Sequence, residues 1–369
     1  MSTAARARTR TRLGWRIGRL AGVPVYIGRS WVLIAAVITL VFGPVVRQVV
    51  PELGTGSYAV AALFALLLLV SVLVHEAAHA LVGQACGYRV SRVVADFWGG
   101  HTAYDSSDST PGRSALVAVA GPLANAALAG VGWLVSDSLP DGVPALLAAA
   151  FTYANAFVAA FNLLPGLPLD GGFLVDALVW RLTGSRGLGT LVAGWSGRLL
   201  TLSLVWWALG MPLLRGEQLP LTRLLWVALI GSFLWIGAGD AVRTGRARRV
   251  FERTTVGSVC RAVATVDGDT MVDRLPPARH GLAQVVVDQS GAPVGVVDRE
   301  AIARVPVHLL ATTPVRAVVR HQPEGWAVTA GLDDPVTAVV IAMQTLRTTV
   351  VAVQDASGQV VGLVHAADV

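Results

Sequence analysis

The sequence contains no lysine and little charge of any kind: 14% of its 369 residues are charged, where soluble domains carry roughly 25%. That scarcity, beside a 54% hydrophobic share, excludes a chain folded wholly in water. All 29 basic residues are therefore arginine, a bias expected of a GC-rich genome. Cysteine is nearly absent as well. Cys86 and Cys260 both fall in segments that read as facing the cytosol, which excludes a disulfide framework. No convincing small-residue cleavage site follows the basic start and first apolar stretch, so the N-terminus reads as a retained anchor, not a secretory leader.

The arginines that are present, giving a net charge of +6, also argue against a nucleic-acid partner. They gather at Arg6, Arg8, Arg10, Arg12, Arg16 and Arg19, and again at Arg243, Arg246, Arg248 and Arg249 after the last apolar run. Cytoplasmic flanks of membrane-spanning helices are enriched in this way. A helix needs about 20 apolar residues to cross a hydrocarbon core of about 30 Å. Six runs qualify: Trp31 to Val46, Tyr58 to Leu81, Ser114 to Val135, Val143 to Leu164, Leu188 to Leu209 and Leu221 to Val242. An even number of crossings puts both termini on the cytoplasmic side, with Arg89, Arg92, Arg113, Arg181 and Arg186 in inner loops and Glu52, Asp137, Asp141 and Glu217 in outer ones.

Two polar-apolar alternating segments, Gly22 to Ser30 and Tyr88 to Tyr104, read as strands at the membrane face, although an ordinary cytosolic loop has the same composition. The expected fold is thus a polytopic α-helical membrane protein with short β segments over residues 1–245, followed by a soluble α/β domain over 246–369. The soluble part repeats itself weakly: Gln284 to Ile302 and Val350 to Val369 share a strand, a glycine turn, Gly-apolar-apolar and a helix start. Either copy alone is too small for a good core, so a pseudo-symmetric pair is expected.

The strongest chemical signal is His75-Glu76-Ala77-Ala78-His79 inside an apolar run. Side chains at i and i+4 share a helix face about 5 to 6 Å apart, so both imidazoles can reach one metal ion with Glu76 beside it. A charge at a helix centre costs about 2.5 to 3.5 kcal/mol on insertion scales, which makes such a cluster functional unless it reaches back to the inner interface. Catalytic zinc takes three protein ligands and keeps one open position. The third ligand is not local, and Asp96, His101, Asp105 and Asp170 have suitable chemistry. Asp170 is preferred because it follows Asn162-Leu-Leu-Pro-Gly-Leu-Pro-Leu, whose prolines and glycines break the helix where a span ends. A solvated aspartate at a helix terminus is the plainer alternative.

HEAAH in a membrane helix, GPLAN at Gly121 to Asn125, and NLLPGLPLDGG together resemble the site-2 protease family of intramembrane metalloproteases, across the whole membrane part. The resemblance implies a zinc endopeptidase of a bacterial cell membrane, with one Zn2+ per chain held by His75, His79 and Asp170. It assigns the acid/base role to Glu76, and to Asn162 a partnership with the substrate carbonyl or its oxyanion. Asn125 is similar to a family position near the bound substrate strand; helix packing is an equal reading of it. It also implies single-pass membrane proteins such as anti-sigma factors as substrates. Their helices must unwind to be cut, and the segment Phe97 to His101, with Gly99 and Gly100, is the expected strand edge on which they lie.

The C-terminal repeat resembles a tandem pair of cystathionine-β-synthase (CBS) domains, which implies adenine nucleotide binding, gating of the protease, or homodimerisation. The family's ribose-binding pattern is Gly-apolar-apolar-Ser/Thr-x-x-Asp; the second copy keeps Asp368 in Gly362-Leu-Val-His365-Ala-Ala-Asp368 but has His365 in place of the hydroxyl residue, and Asp298 and Ala301 occupy the two key positions of the first copy. Two rival classes remain. A CBS-regulated transporter or channel predicts ion flux indifferent to chelation. A silent membrane scaffold predicts no stoichiometric metal.

Overall fold

The computed structural model describes residues 14–96, 99–105, 109–276 and 282–369. The chain divides into two compact units, Met1–Arg246 and Ala247–Val369.

The first unit opens with a hairpin. Strands β1 (Trp15–Leu20) and β2 (Val23–Ile27) pair antiparallel, joined by Ala21 and Gly22 at φ of 45° and 83°. Both turn residues in the left-handed region is the geometry that matches strand twist in a two-residue loop. Only β2 was legible as a strand; Trp15–Leu20 reads as a charged anchor flank until β2 supplies its hydrogen bonds. Helix α1 (Trp31–Val49) follows, then α2 (Ser57–Ala85), entered through a short 3-10 turn beginning at Pro51. Strands β3 (Arg89–Asp96) and β4 (Gly99–Asp105) complete a four-stranded sheet of order β1-β2-β3-β4. Val23 and Val93 of this sheet pack on Ala80, and Ala95 joins Trp31 and Leu69, so the sheet lies against α2.

Helix α3 (Pro111–Ser136) starts with Pro111 at its first turn, where a missing N–H costs nothing, and the Thr110 side chain accepts a hydrogen bond from the Arg113 amide. Helix α4 (Val143–Asn162) runs into an irregular loop at 163–169 and then α5 (Asp170–Thr183), which ends on Gly184 at φ 73°, a left-handed cap that glycine adopts without strain. Helix α6 (Arg186–Val205) continues through a wider turn to Leu214, and α7 (Leu221–Arg253) extends past the division between the units. Six helical stretches, all of these except α5, are long and apolar enough to cross a membrane. Each overlaps one predicted span. The last reaches 33 residues, roughly 50 Å at 1.5 Å per residue, longer than any hydrocarbon core demands.

Small residues let these helices approach. Gly194 and Gly197 of α6 lie against Val242, Ala238 and the Leu167 backbone, and Gly132 of α3 lies against Thr152 of α4.

The second unit contains two sheets, β5-β6-β7-β8 (Val263–Asp267, Ala283–Val287, Pro293–Val297, Val319–His321) and β9-β10-β11 (Ala327–Thr329, Val350–Gln354, Val360–His365). The sequence repeat has a structural counterpart in the turns. Asp288 Oδ1 accepts from the amides of Ser290 and Ala292, and Asp355 Oδ1 from those of Ser357 and Gln359. Hydrogen bonds from the Ser290 and Ser357 hydroxyls, aided by these amides, hold both carboxyls below the usual carboxylate range. The third turn residue is glycine in each copy, Gly291 at φ 84° and Gly358 at φ 83°. Each sheet has its own buried cluster, around Val286 and Val297 in the first and around Val351 and Val364 in the second, and Val285, Trp326, Ala352 and Leu363 form a further cluster drawn from both sheets. This is the α/β pair expected of tandem CBS domains.

Candidate metal centre

His75 and His79 lie one turn apart on α2, both buried, and their Nε2 atoms are 3.1 Å from each other. Asp170, at the first position of α5, brings Oδ2 to 3.1 Å from His75 Nε2 and Oδ1 to 3.4 Å from His79 Nε2. The sequence positions it there through the broken segment before it. A side chain on Gly171 would collide with the carbonyls of Leu163 and Leu164, and one on Gly172 with the backbone at Leu167. Only a glycine pair lets α5 start so close to the end of α4. Gly121 in α3 does the same from the other side, since a Cβ there would strike both imidazole rings.

Hydrogen bonds fix which atoms face the centre. His79 Nδ1 lies 2.7 Å from the Val117 carbonyl, which can only accept, so Nδ1 carries the proton. His75 Nδ1 lies 2.5 Å from Asn125 Oδ1, again an acceptor. Both rings therefore turn Nε2 lone pairs toward each other and toward a carboxylate. Asp170 Oδ2 is buried with no hydrogen-bond partner. Lone pairs and negative charge converging in a buried place repel unless a cation lies among them. Tetrahedral zinc with bonds of about 2.0 to 2.1 Å separates its ligand atoms by roughly 3.3 Å, and the three observed separations of 3.1 to 3.4 Å fit that figure. Among the described residues, His75, His79 and Asp170 are the one group of three or more such side chains able to share an ion, with donor atoms within 4.8 Å of one another.

Of the other predicted residues, Glu76 is buried next to the imidazoles, and its Oε2 accepts from the Thr102 hydroxyl at 2.8 Å. Asn162 and Asn125 line the same cavity, of about 430 Å³, together with Trp31, Ile34, Phe161 and Phe233. Gly99 and Gly100 lie in β4, paired with Asp96 and Ala95, and among the described residues β4 has no neighbour on its other side. Phe97 and Trp98 of the expected strand edge lie outside the described residues, as do Arg6, Arg8, Arg10 and Arg12. Asp96 is not part of the metal group, and the side chains of His101 and Asp105 are outside what is described.

In the second unit, Asp368 pairs with Arg261. A cleft of about 660 Å³ there is lined by Arg261, Asp298, Arg320, Gln322 and His365, but not by Asp368. The expected nucleotide residue thus sits behind one of the cleft's arginines.

Sequence reasoning missed Thr102, Ser71 and Asn155. Thr102 needed the strand register that places it under Glu76. Asn155 did carry a signal, an amide inside the apolar run of α4.

The chain is similar to several known proteins. The model of peptidase family M50 matches residues 63–141, which hold the HEAAH and GPLAN motifs. A protein of Synechocystis named a putative zinc metalloprotease is 28% identical over 366 residues, covering 96% of this chain and 94% of its own. The solved site-2 protease of Methanocaldococcus jannaschii is 22% identical, covering 62% of this chain and 95% of that one with a TM-score of 0.43. A solved CBS domain protein of Thermoplasma acidophilum covers 31% of this chain and 66% of its own, 24% identical with a TM-score of 0.24. Residues 63–141 thus match a peptidase family M50 domain, the chain is similar over nearly its whole length to proteins named zinc metalloproteases, and the three donors that its helices assemble suit a metalloprotease.

Proposed function

We propose that this chain is an intramembrane endopeptidase that hydrolyses peptide bonds within transmembrane segments of single-pass membrane proteins. The observation that carries the reading is the position of the donors: His75 and His79 lie inside a helix long and apolar enough to span a bilayer, and the cavity beside them is walled by Trp31, Ile34, Phe161 and Phe233. Zinc held by His75, His79 and Asp170 would supply a bound water of pKa about 7 and a Lewis acid for the scissile carbonyl. Glu76, oriented by Thr102, takes the proton from the attacking water and returns it to the leaving amine. Asn162 turns its amide toward the carbonyl as it becomes an oxyanion. The unwound substrate adds to the open side of β4 near Gly99 and Gly100, where main-chain hydrogen bonds replace those it loses.

The setting proposed is a bacterial cell membrane, with both termini cytoplasmic, one zinc per chain, and substrates of the anti-sigma-factor kind. The C-terminal unit serves as its regulator. Arg261 and Arg320 line its cleft, each paired with a carboxylate, Asp368 and Asp298, that the phosphates of an adenine nucleotide would displace, and pairing of two copies through this unit would give a homodimer.

The test is cleavage of a panel of transmembrane helices by the full-length wild type and by Glu76→Gln, with zinc measured in both. Cleavage by wild type alone, with equal metal, supports the reading. Cleavage by both overturns the role of Glu76, and cleavage of soluble peptides only overturns the substrate class.

A further inference from the structure

The histidine tautomers at the metal centre are anchored in two different ways. His79 rests directly on the Val117 backbone carbonyl. His75 rests on a side-chain amide, and an amide offers a donor or an acceptor depending on which way it turns. If Asn125 presented its nitrogen, His75 Nδ1 would have to accept, its proton would move to Nε2, and the lone pair the metal needs would be gone.

A chain of buried groups on three helices prevents this. Asn155 of α4 places Nδ2 2.9 Å from the carbonyl of Phe151 and 3.0 Å from Ser71 Oγ. Ser71 of α2 donates its own hydroxyl to the Leu67 carbonyl at 3.0 Å, so its oxygen is left to accept. Both partners of Asn155 Nδ2 are thus acceptors, and the amide of Asn155 has one satisfactory orientation. Its Oδ1 must then face Asn125, whose Nδ2 donates to it at 2.7 Å. That leaves Asn125 Oδ1, and only that atom, for His75 at 2.5 Å. Asn125 and Asn155 are each 1% exposed and Ser71 is 4% exposed, so these bonds are largely shielded from water. The direction of every amide descends from two backbone carbonyls of helices α2 and α4, which can only accept.

We propose that Asn155, braced by Ser71, is a positioning residue of the metal centre: it dictates the orientation of Asn125 and through it the metal-binding tautomer of His75. Such outer partners hold ligand orientation, and their loss costs about 10- to 100-fold in metal affinity. The inference rests on the zinc-site reading, and the experiment separates the two.

Zinc affinity is measured by chelator competition on the purified full-length protein, with the absorption bands of cobalt in place of zinc as a second readout of ligand geometry. Asn155→Leu is expected to lose about 10- to 100-fold in zinc affinity and to shift the cobalt bands. Asn125→Asp makes the acceptor facing His75 independent of orientation, because both carboxylate oxygens accept. The double variant Asn125→Asp/Asn155→Leu is therefore expected to regain most of the affinity that Asn155→Leu loses. Asn155→Asp keeps an oxygen acceptor toward Asn125 and is expected to bind zinc within a few-fold of wild type; this variant carries the test should Asn155→Leu fail to fold. Wild-type affinity in Asn155→Leu, no recovery in the double variant, or a loss in Asn155→Asp as large as in Asn155→Leu overturns the proposal. Absence of zinc from the wild type overturns instead the metal centre on which it stands.

Discussion

The hydroxyl of Thr102, on strand β4, donates to Oε2 of Glu76 at 2.8 Å and also lies 3.2 Å from the Glu76 carbonyl oxygen. The strand at the sheet's edge is thereby tied to the general acid/base of the motif helix. A hydrogen bond to a charged group contributes about 1.5 to 3 kcal/mol, so Thr102→Val should lower kcat by about 10- to 100-fold. KM should change little, and Thr102→Ser should restore most of the rate. Steady-state cleavage of a transmembrane substrate separates the two parameters.

Gly121 admits no side chain. Even alanine there would drive a methyl group into both His75 and His79. Gly121→Ala is expected to reduce zinc content markedly in purified protein, whereas Gly130→Ala, on the same helix with open space around it, should leave zinc unchanged. Metal analysis of the two variants side by side checks this.

Bulk on β4 should act on substrate and not on metal. Replacing Gly99 and Gly100 with valine places branched side chains where an added strand would lie, and cleavage should slow with zinc retained. Equal cleavage rates would dismiss strand addition as the mode of substrate binding.

Trp326 is 3% exposed and belongs to the buried cluster shared by the two sheets of the C-terminal unit. Truncating a buried tryptophan costs about 3 to 5 kcal/mol. Trp326→Ala in the full chain should therefore lower the unfolding temperature of this unit by many degrees, as read by calorimetry.

Much of this organisation was legible in the residues, and the exceptions have physical causes. Apolar runs reveal spanning helices because the bilayer enforces their length, and HEAAH reveals a metal pair because the helix repeat fixes its spacing. Asp170 could be singled out because prolines and glycines before it forbid a continuous helix. By contrast, Trp15–Leu20 becomes a strand only through its partner, and the sequence does not name the partner. Thr102 acquires its role from a register in which it pairs with Val93. Asn155 looked like one polar residue in an apolar helix; its meaning lies in two carbonyls and an amide on neighbouring turns and helices, which no periodicity encodes.

The most direct measurement is zinc-edge X-ray absorption on the purified full-length chain, beside the metal content of Asp170→Ala. The account requires one zinc per chain bound by two imidazoles and a carboxylate, with metal lost or its oxygen ligation changed in the variant. A wild type without zinc, or a zinc environment identical in Asp170→Ala, would contradict it.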